Sequence, residues 1–280
     1  MFEITHKIKD FTHIISGKPL NFLHKQLCIR HIYLTSLTLP LKSSNCKVRK
    51  HLFLFPLALL LLSIVSPIAH ASDWDMPELD TARNVSYLAD VEKDVILEIN
   101  KVRTDPKKYA EEVIKPILNT FVENPWQNPL IRKKGDTWLV TKEGKSVINE
   151  LIAELQTIEP MQILKPSMGI SKAAKDHTKD SSTHNTFEHG GTDGSRFWDR
   201  VNRYGKINLF QAGGGECLSS GSNTGVDIVL QLLIDDGVQS RGHRKIVLNP
   251  NASKIGVGFG EHPKYKYMCT LDLAFDYSEE

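Results

Sequence analysis

The chain changes its hydrophobic period near the C-terminus. Ile255, Val257 and Phe259 alternate with smaller or polar residues, and Tyr267, Cys269, Leu271 and Leu273 do so again beyond a break at His262–Lys266. Alternation buries one face of an extended segment, so this tail predicts two strands joined by a turn. Upstream the apolar residues recur three and four apart. Val91, Val95, Ile96, Ile99 and Val102 mark a helix that Asp105-Pro106 interrupts. Asp105 is placed to cap a second helix with Pro106 in its first turn, carrying Tyr109, Val113 and Ile114 up to Pro116. Glu143–Leu155 forms a third, with Val147, Ile148, Leu151, Ile152 and Leu155 on one face. Pro166 and Ser167 open a fourth, Met168–Lys179, striped by Ile170, Ala173, Ala174 and His177. Val226–Leu233 is an apolar helical run ended by Asp235-Asp236-Gly237. Two stretches read as loop: residues 119–137, with Asn-Pro and Gly-Asp pairs, and residues 181–225, around a short helix near Arg196–Tyr204. Helices first, strands late and no internal repeat predict one α+β domain.

The 280 residues, 40% of them hydrophobic, are enough for one sizeable core and too apolar for a disordered chain. The formal net charge of +2 hides a split. Residues 1–71 carry nine basic and two acidic side chains, net +7; the remainder carries 26 basic and 31 acidic, net −5. A mildly acidic domain lacks the clustered positive charge that displaces counterions from phosphates, so no nucleic-acid partner is expected. The positive segment has the layout of an export signal. Lys47, Arg49 and Lys50 precede the apolar run 52–65, and Ala69-His70-Ala71 supplies small residues for a cut after Ala71. This predicts a secreted or periplasmic domain, with an uncleaved N-terminal anchor as the alternative and the only expected membrane contact. Residues 72–90 then read as a tether and 91–280 as the working domain.

Three segments combine histidine or acid with glycine in ways that core packing does not require. They are Phe187–Gly194 with His189, Gly215-Glu216-Cys217, and Ser240–Arg244 with His243. Two neutral imidazoles can ligate zinc, with Glu216 as a third ligand or as the group that orients a bound water. Glu216 is equally the candidate general base if the site is catalytic. No HExxH or GxSxG accompanies these residues. Asp227, Asp236, Arg244 and His177 are candidates for the cleft or its support; His184 and His262 read as solvated loop positions. Cys217 and Cys269 are the two cysteines after the leader. In an oxidising compartment they form either a disulfide, closing a loop of about 50 residues, or two buried thiols.

Taken together these segments resemble the CAP superfamily of cysteine-rich secretory, antigen and pathogenesis-related proteins, and especially its bacterial secreted, SCP-like branch. The matching residues are Ala173-Ala174 with His177, His189 with Asp193-Gly194-Ser195, Arg200, Gly215-Glu216, Val226–Leu233, Gly242-His243-Arg244, Leu248-Asn249-Pro250, and Ile255-Gly256-Val257-Gly258. The resemblance runs over roughly residues 91–277, with 119–160 as an insertion relative to a compact member. It implies a three-layer α-β-α sandwich with a central antiparallel sheet and a broad cleft. In many members two histidines and two acids line that cleft, and some bind Zn or another divalent cation. His189, His243 and Glu216 match three of the four. Members with the full set carry the second acid on the helix before the second histidine; here that helix holds Asp227, and Asp235-Asp236 follow it.

Three function classes follow. The first is a secreted binding module for a lipid, an envelope component or a peptide. The second is a divalent-metal-dependent extracytoplasmic hydrolase or peptidase using His189, His243 and Glu216. The third is a structural or toxin-like protein in which the cluster only stabilises the fold. The family as a whole implies no enzymatic activity.

Overall fold

The computed structural model describes residue 74 and residues 76–122, 131–135, 137–207 and 214–279. The leader, its apolar core at 52–65 and the cleavage position after 71 lie outside the described residues. Among the described residues no helix is long and apolar enough to cross a membrane. In chain order the elements are α1 (Asp90–Thr104), α2 (Pro106–Tyr109), β1 (Ile131–Lys134), β2 (Thr137–Val140), α3 (Lys145–Leu155), β3 (Lys165–Pro166), α4 (Met168–His184), α5 (Phe197–Val201), β4 (Gly205–Ile207), β5 (Gly214–Ser220), α6 (Gly225–Ile234), α7 (Gly242–Val247), β6 (Lys254–His262), β7 (Lys266–Ala274) and β8 (Tyr277–Glu279).

The alternating tail forms the centre of the molecule. β6 and β7 pair antiparallel, β5 pairs antiparallel with the other edge of β7, and the short β3 runs parallel to β6. The four-stranded order is therefore β3-β6-β7-β5. Ile255 and Val257 of β6, Cys269, Leu271 and Leu273 of β7 and Cys217 of β5 share one face, where they join Val95, Ile96 and Ile99 of α1 and Ile228, Val229, Leu232 and Leu233 of α6 in the larger core. α3 adds Val147, Ile148, Leu151 and Leu155 to the same core. Each such side chain contributes roughly 1.5–3 kcal/mol relative to exposure, which outweighs surface ion pairs at about 0–1 kcal/mol each.

On the opposite face Gly256 and Gly258 let α4 lie against the sheet. A Cβ at Gly256 would overlap the α4 backbone at Ile170 and Ser171, and one at Gly258 would overlap it at Ala174. Ile170 and Ala173 of α4, Phe197 and Val201 of α5, Ala274 and Tyr277 make the second, smaller core. Helices on both faces of a mostly antiparallel, open sheet give the expected α-β-α sandwich.

Several local expectations need correction. Asp105 does cap α2, accepting from the Lys108 N–H at 2.9 Å. After Tyr109, however, the backbone widens to a π turn over Ala110–Ile114 and then tightens to 3-10 over Lys115–Thr120. Pro116 has no N–H to donate one turn back, so the α-helical ladder cannot continue there. Part of the stretch read as loop at 119–137 is a hairpin, β1 paired with β2 around Gly135 at φ +55°. Residues 76–88, read as tether, are packed: Leu79, Ala82 and Leu88 are buried, and the Asn100 amide donates to the Leu79 carbonyl at 2.9 Å. His262 is buried, not solvated, with its Nε2 donating to the Thr186 carbonyl at 2.9 Å and its Nδ1 accepting from the Lys264 N–H at 3.2 Å.

The disulfide expected between Cys217 and Cys269 is not formed; both are buried free thiols. The register explains why. Cys217 stands opposite Leu271, and Cys269 stands opposite Ser219. The two sulfurs lie on one face but are offset by two residues, a diagonal relationship with Cα atoms about 7–8 Å apart, beyond disulfide reach.

Candidate functional site

Glu216 organises one half of the site. It lies on β5, and its side chain points to the α4 face while the next residue, Cys217, points into the larger core. Burial alone would raise its pKa. The hydrogen bond from His189 and the charge and hydrogen bond of Arg200 overcome this and hold the carboxyl below its ordinary value. His189 Nδ1 donates to Glu216 Oε1 at 2.8 Å, and the buried Arg200 guanidinium donates to Oε2 and to the His189 carbonyl. Both carboxylate oxygens are therefore engaged. Arg200 is aimed by α5, and its other arm donates to the Ser195 carbonyl at 3.0 Å, just beyond the Gly194 turn at φ +82°.

His177 backs this cluster from α4. It is fully buried, its Nε2 donates to the Glu188 carbonyl at 2.9 Å, and Nε2 lies 3.9 Å from Glu216 Oε1. Burial pushes the imidazole pKa below its ordinary value, against the pull of the Glu216 charge, so the ring is neutral. Its Nδ1 has no hydrogen-bond partner.

His243 forms the second half. Its Nδ1 donates to Asp235 Oδ1 at 2.7 Å, and its backbone N–H donates to Asp235 Oδ2 at 3.0 Å. Asp235 ends α6 in the left-handed region at φ +54° and is 3% exposed. Arg244, also buried, fastens this corner. Its guanidinium donates to the Leu233 and Ile234 carbonyls and to Glu150 and Glu154 of α3. Arg241 binds Glu143 and Glu150 beside it. A contact from Cys217 Sγ to the His243 carbonyl at 3.8 Å ties this half to β5, so the Glu216-Cys217 step touches both halves, one from each sheet face.

The two halves follow one plan. Each places a histidine on a buried carboxylate through Nδ1, which leaves Nε2 for another partner. The His189 side chain is 60% exposed and that of His243 27%. A carboxylate behind an imidazole fixes its tautomer and orientation.

The expected support residues divide. Arg244 and His177 stand behind the two halves. Asp227 does not join them; it pairs with Lys134 at 2.7 Å and with Thr224 in the α6 cap. Asp236 accepts the backbone N–H groups of Lys142 and Glu143. The acid that serves His243 is Asp235, which a search for an acid within the preceding helix passes over because it lies one residue beyond. Arg200 enters the sequence reading only as a residue of the family pattern, and Asp272 does not enter it at all. Asp272 is fully buried on β7 opposite Glu216.

Among the described residues no three His, Cys, Asp or Glu side chains converge on a common point. A catalytic zinc centre uses three protein ligands, whereas here Glu216 and Asp235 are already committed to the histidines and to backbone or Arg200 hydrogens. Among the described residues, the donor set as placed does not complete such a centre.

Residues 146–273 match the sequence profile of the family described as CAP, Cysteine-rich secretory protein family. A Bacillus subtilis (strain 168) protein, "Uncharacterized protein YkwD", is 30% identical over 141 residues, which cover 48% of this chain and 50% of that protein. The chain thus spans about half the length of the curated relative it matches. An extracellular protein containing a SCP domain from Bacillus anthracis str. Ames is 24% identical over 41% of this chain and 35% of its own, with a TM-score of 0.32. An outer surface protein from Borrelia burgdorferi is 17% identical over 45% of this chain and 84% of its own, with a TM-score of 0.33. The family match spans α3 to β7 and takes in both histidine–carboxylate pairs, so residues 146–273 are similar to the CAP domain of the cysteine-rich secretory protein family.

Proposed function

We propose that this CAP-like domain works outside the cytoplasm, secreted or periplasmic, as a binding module whose His189–His243 site recognises a lipid, an envelope component or a peptide. The export-type leader and the secretory family support the location. One observation carries the binding role: both buried carboxylates spend their oxygens on holding imidazoles, arginine or backbone N–H groups, while each imidazole, engaged through Nδ1, keeps Nε2 for another partner. An imidazole held this way could also take a proton at Nε2, but hydrolysis needs a nucleophile there, and among the described residues no hydroxyl or thiol is hydrogen-bonded to either Nε2. Here the acids orient the histidines, and the histidines present fixed polar contacts. Pre-organised polar groups of this kind confer specificity because little ordering remains to be done on binding.

The test is calorimetric titration of the full chain with three probes: muropeptide fragments, dispersed phospholipid and a mixed short-peptide pool. A His189→Ala, His243→Ala variant is titrated beside it, and product formation is followed by mass spectrometry. The expected result is saturable binding of one class at about one site, lost in the double variant, with the probe recovered intact. Binding that survives the double substitution, no binding of any class, or turnover of the bound probe would overturn the proposal.

A further inference from the structure

The β1–β2 hairpin carries a second surface, on the opposite side of its two strands from the one that meets the domain. Lys133 pairs with Trp138 and Ile131 with Val140, so these four side chains share one face. Arg132, Lys134, Thr137 and Leu139 share the other. The second face is the anchored one: Lys134 Nζ binds Asp227 of α6 at 2.7 Å, and Arg132 is drawn toward Asp227 and Asp236. The first face is turned outward. Trp138 is 59% exposed and Val140 75%, the two most exposed large apolar side chains among the described residues. Lys133 Nζ stands 6.0 Å from the Trp138 ring centre, and no acid lies on this face among the described residues. A shallow cavity of about 460 Å³, walled by Trp138, Lys133, Phe121 and Val122, opens beside it.

The geometry points to this face as a docking surface for an anionic lipid bilayer. An indole next to a lysine suits the headgroup boundary, where the ring meets acyl carbon and the ammonium meets phosphate. Val140 and Ile131 extend the apolar strip, which a stacked sugar ring would leave unused. Four side chains fall far short of the roughly 800 Å² per partner that a stable protein interface buries, whereas shallow insertion into a bilayer needs no such area. The charge fits as well. Among the described residues of the outward face the charge is positive, while residues 72–280 as a whole are net negative and would otherwise be repelled by an anionic surface. This surface is separate from the histidine site and stands or falls independently of it.

The test uses the full chain with vesicles of phosphatidylcholine alone or mixed with phosphatidylglycerol, the lipids brominated on their acyl chains. Any binding through the leader is common to all variants, so the readout must be local. The chain has four tryptophans, and the emission difference between wild type and Trp138→Phe isolates Trp138. With phosphatidylglycerol present, that difference spectrum should shift to the blue and be quenched. Lys133→Glu should weaken the response about fivefold or more, since one lysine near an anionic surface is worth about that factor. Val140→Asp, at a position too exposed to endanger the fold, should abolish the quenching. Vesicle binding with an unchanged Trp138 signal would overturn the inference, as would a Trp138 response to soluble glycan or peptide but not to vesicles.

Discussion

Glu216 and Asp272 stand directly opposite each other in the β5–β7 ladder, and Asp272 is fully buried. Neither Asp272 oxygen receives a hydrogen from any other group. Two ionised carboxylates could not share this position without Coulomb repulsion in a low-dielectric setting. Glu216 has His189 and Arg200 to stabilise its charge, whereas Asp272 has no cation of its own. Burial, reinforced by the Glu216 charge, pushes the Asp272 pKa well above its ordinary value. Asp272 is therefore the member of the pair that holds its proton to the higher pH.

That assignment fixes the sign of a pH effect. A raised folded-state pKa contributes stability that is fully present below the unfolded value, about 3.9, and is lost as pH rises toward the folded value. Asp272→Asn keeps the shape and a donor but does not titrate. The variant should therefore gain stability relative to wild type between about pH 4 and pH 7, by up to about 1.4 kcal/mol per pH unit. Urea denaturation of both proteins at three pH values measures the difference. A difference that stays flat with pH would show that Asp272 is ionised in the fold.

Much of the fold was legible because it rests on periodicity. The alternation of Ile255, Val257, Cys269 and Leu271 and the helical stripes of α1, α3 and α6 encode burial directly. β5 was harder to read. Its sequence, Gly214–Ser220, offers only Cys217 and Leu218 as apolar residues, because its outer edge and one face serve the polar site instead of a core. The β1–β2 hairpin was hidden for the opposite reason: Trp138 and Val140, two of its apolar residues, point to solvent, so no buried stripe marks it. Small interior residues also carry two meanings. Gly256 and Gly258 look like weak points in a strand until α4 is seen lying on them.

The same limit applies to the cysteines, where composition and compartment suggested a bond that the strand register forbids. Burial pushes both thiols well above their ordinary pKa, with nearby carboxylates adding to it. Inert thiols are expected. In the native protein neither Cys217 nor Cys269 should react with an aromatic disulfide reagent at pH 8, while both should react at once in guanidinium. Reductant should leave the melting temperature unchanged. A reductant-dependent fall of several degrees would mean that the strands shift to allow a bridge.

At the histidine site the sequence pattern located the rings and one acid, but not the second acid. Nothing in the pattern separates Asp227, Asp235 and Asp236. Backbone geometry does: Asp235 adopts the left-handed conformation that closes α6, which turns its carboxylate back toward the start of α7. Asp227 faces the β1–β2 hairpin, and Asp236 faces the approach to α3.

These placements predict a ranking. Asp235→Ala strands the His243 imidazole and backbone N–H groups in a buried corner and puts alanine at a positive φ, so it should cost about 2–4 kcal/mol. Asp235→Asn tolerates that backbone and retains an acceptor, so it should cost less. Asp227→Ala loses a partly exposed ion pair and an α6 cap contact, for about 1 kcal/mol. Denaturant titration gives the ranking, and imidazole proton NMR separates a site effect from a fold effect. Only the Asp235 variants should move the His243 ring signals, because only Asp235 touches Nδ1. If Asp227→Ala moved those signals as far as Asp235→Asn did, the pairing of Asp235 with His243 would be wrong.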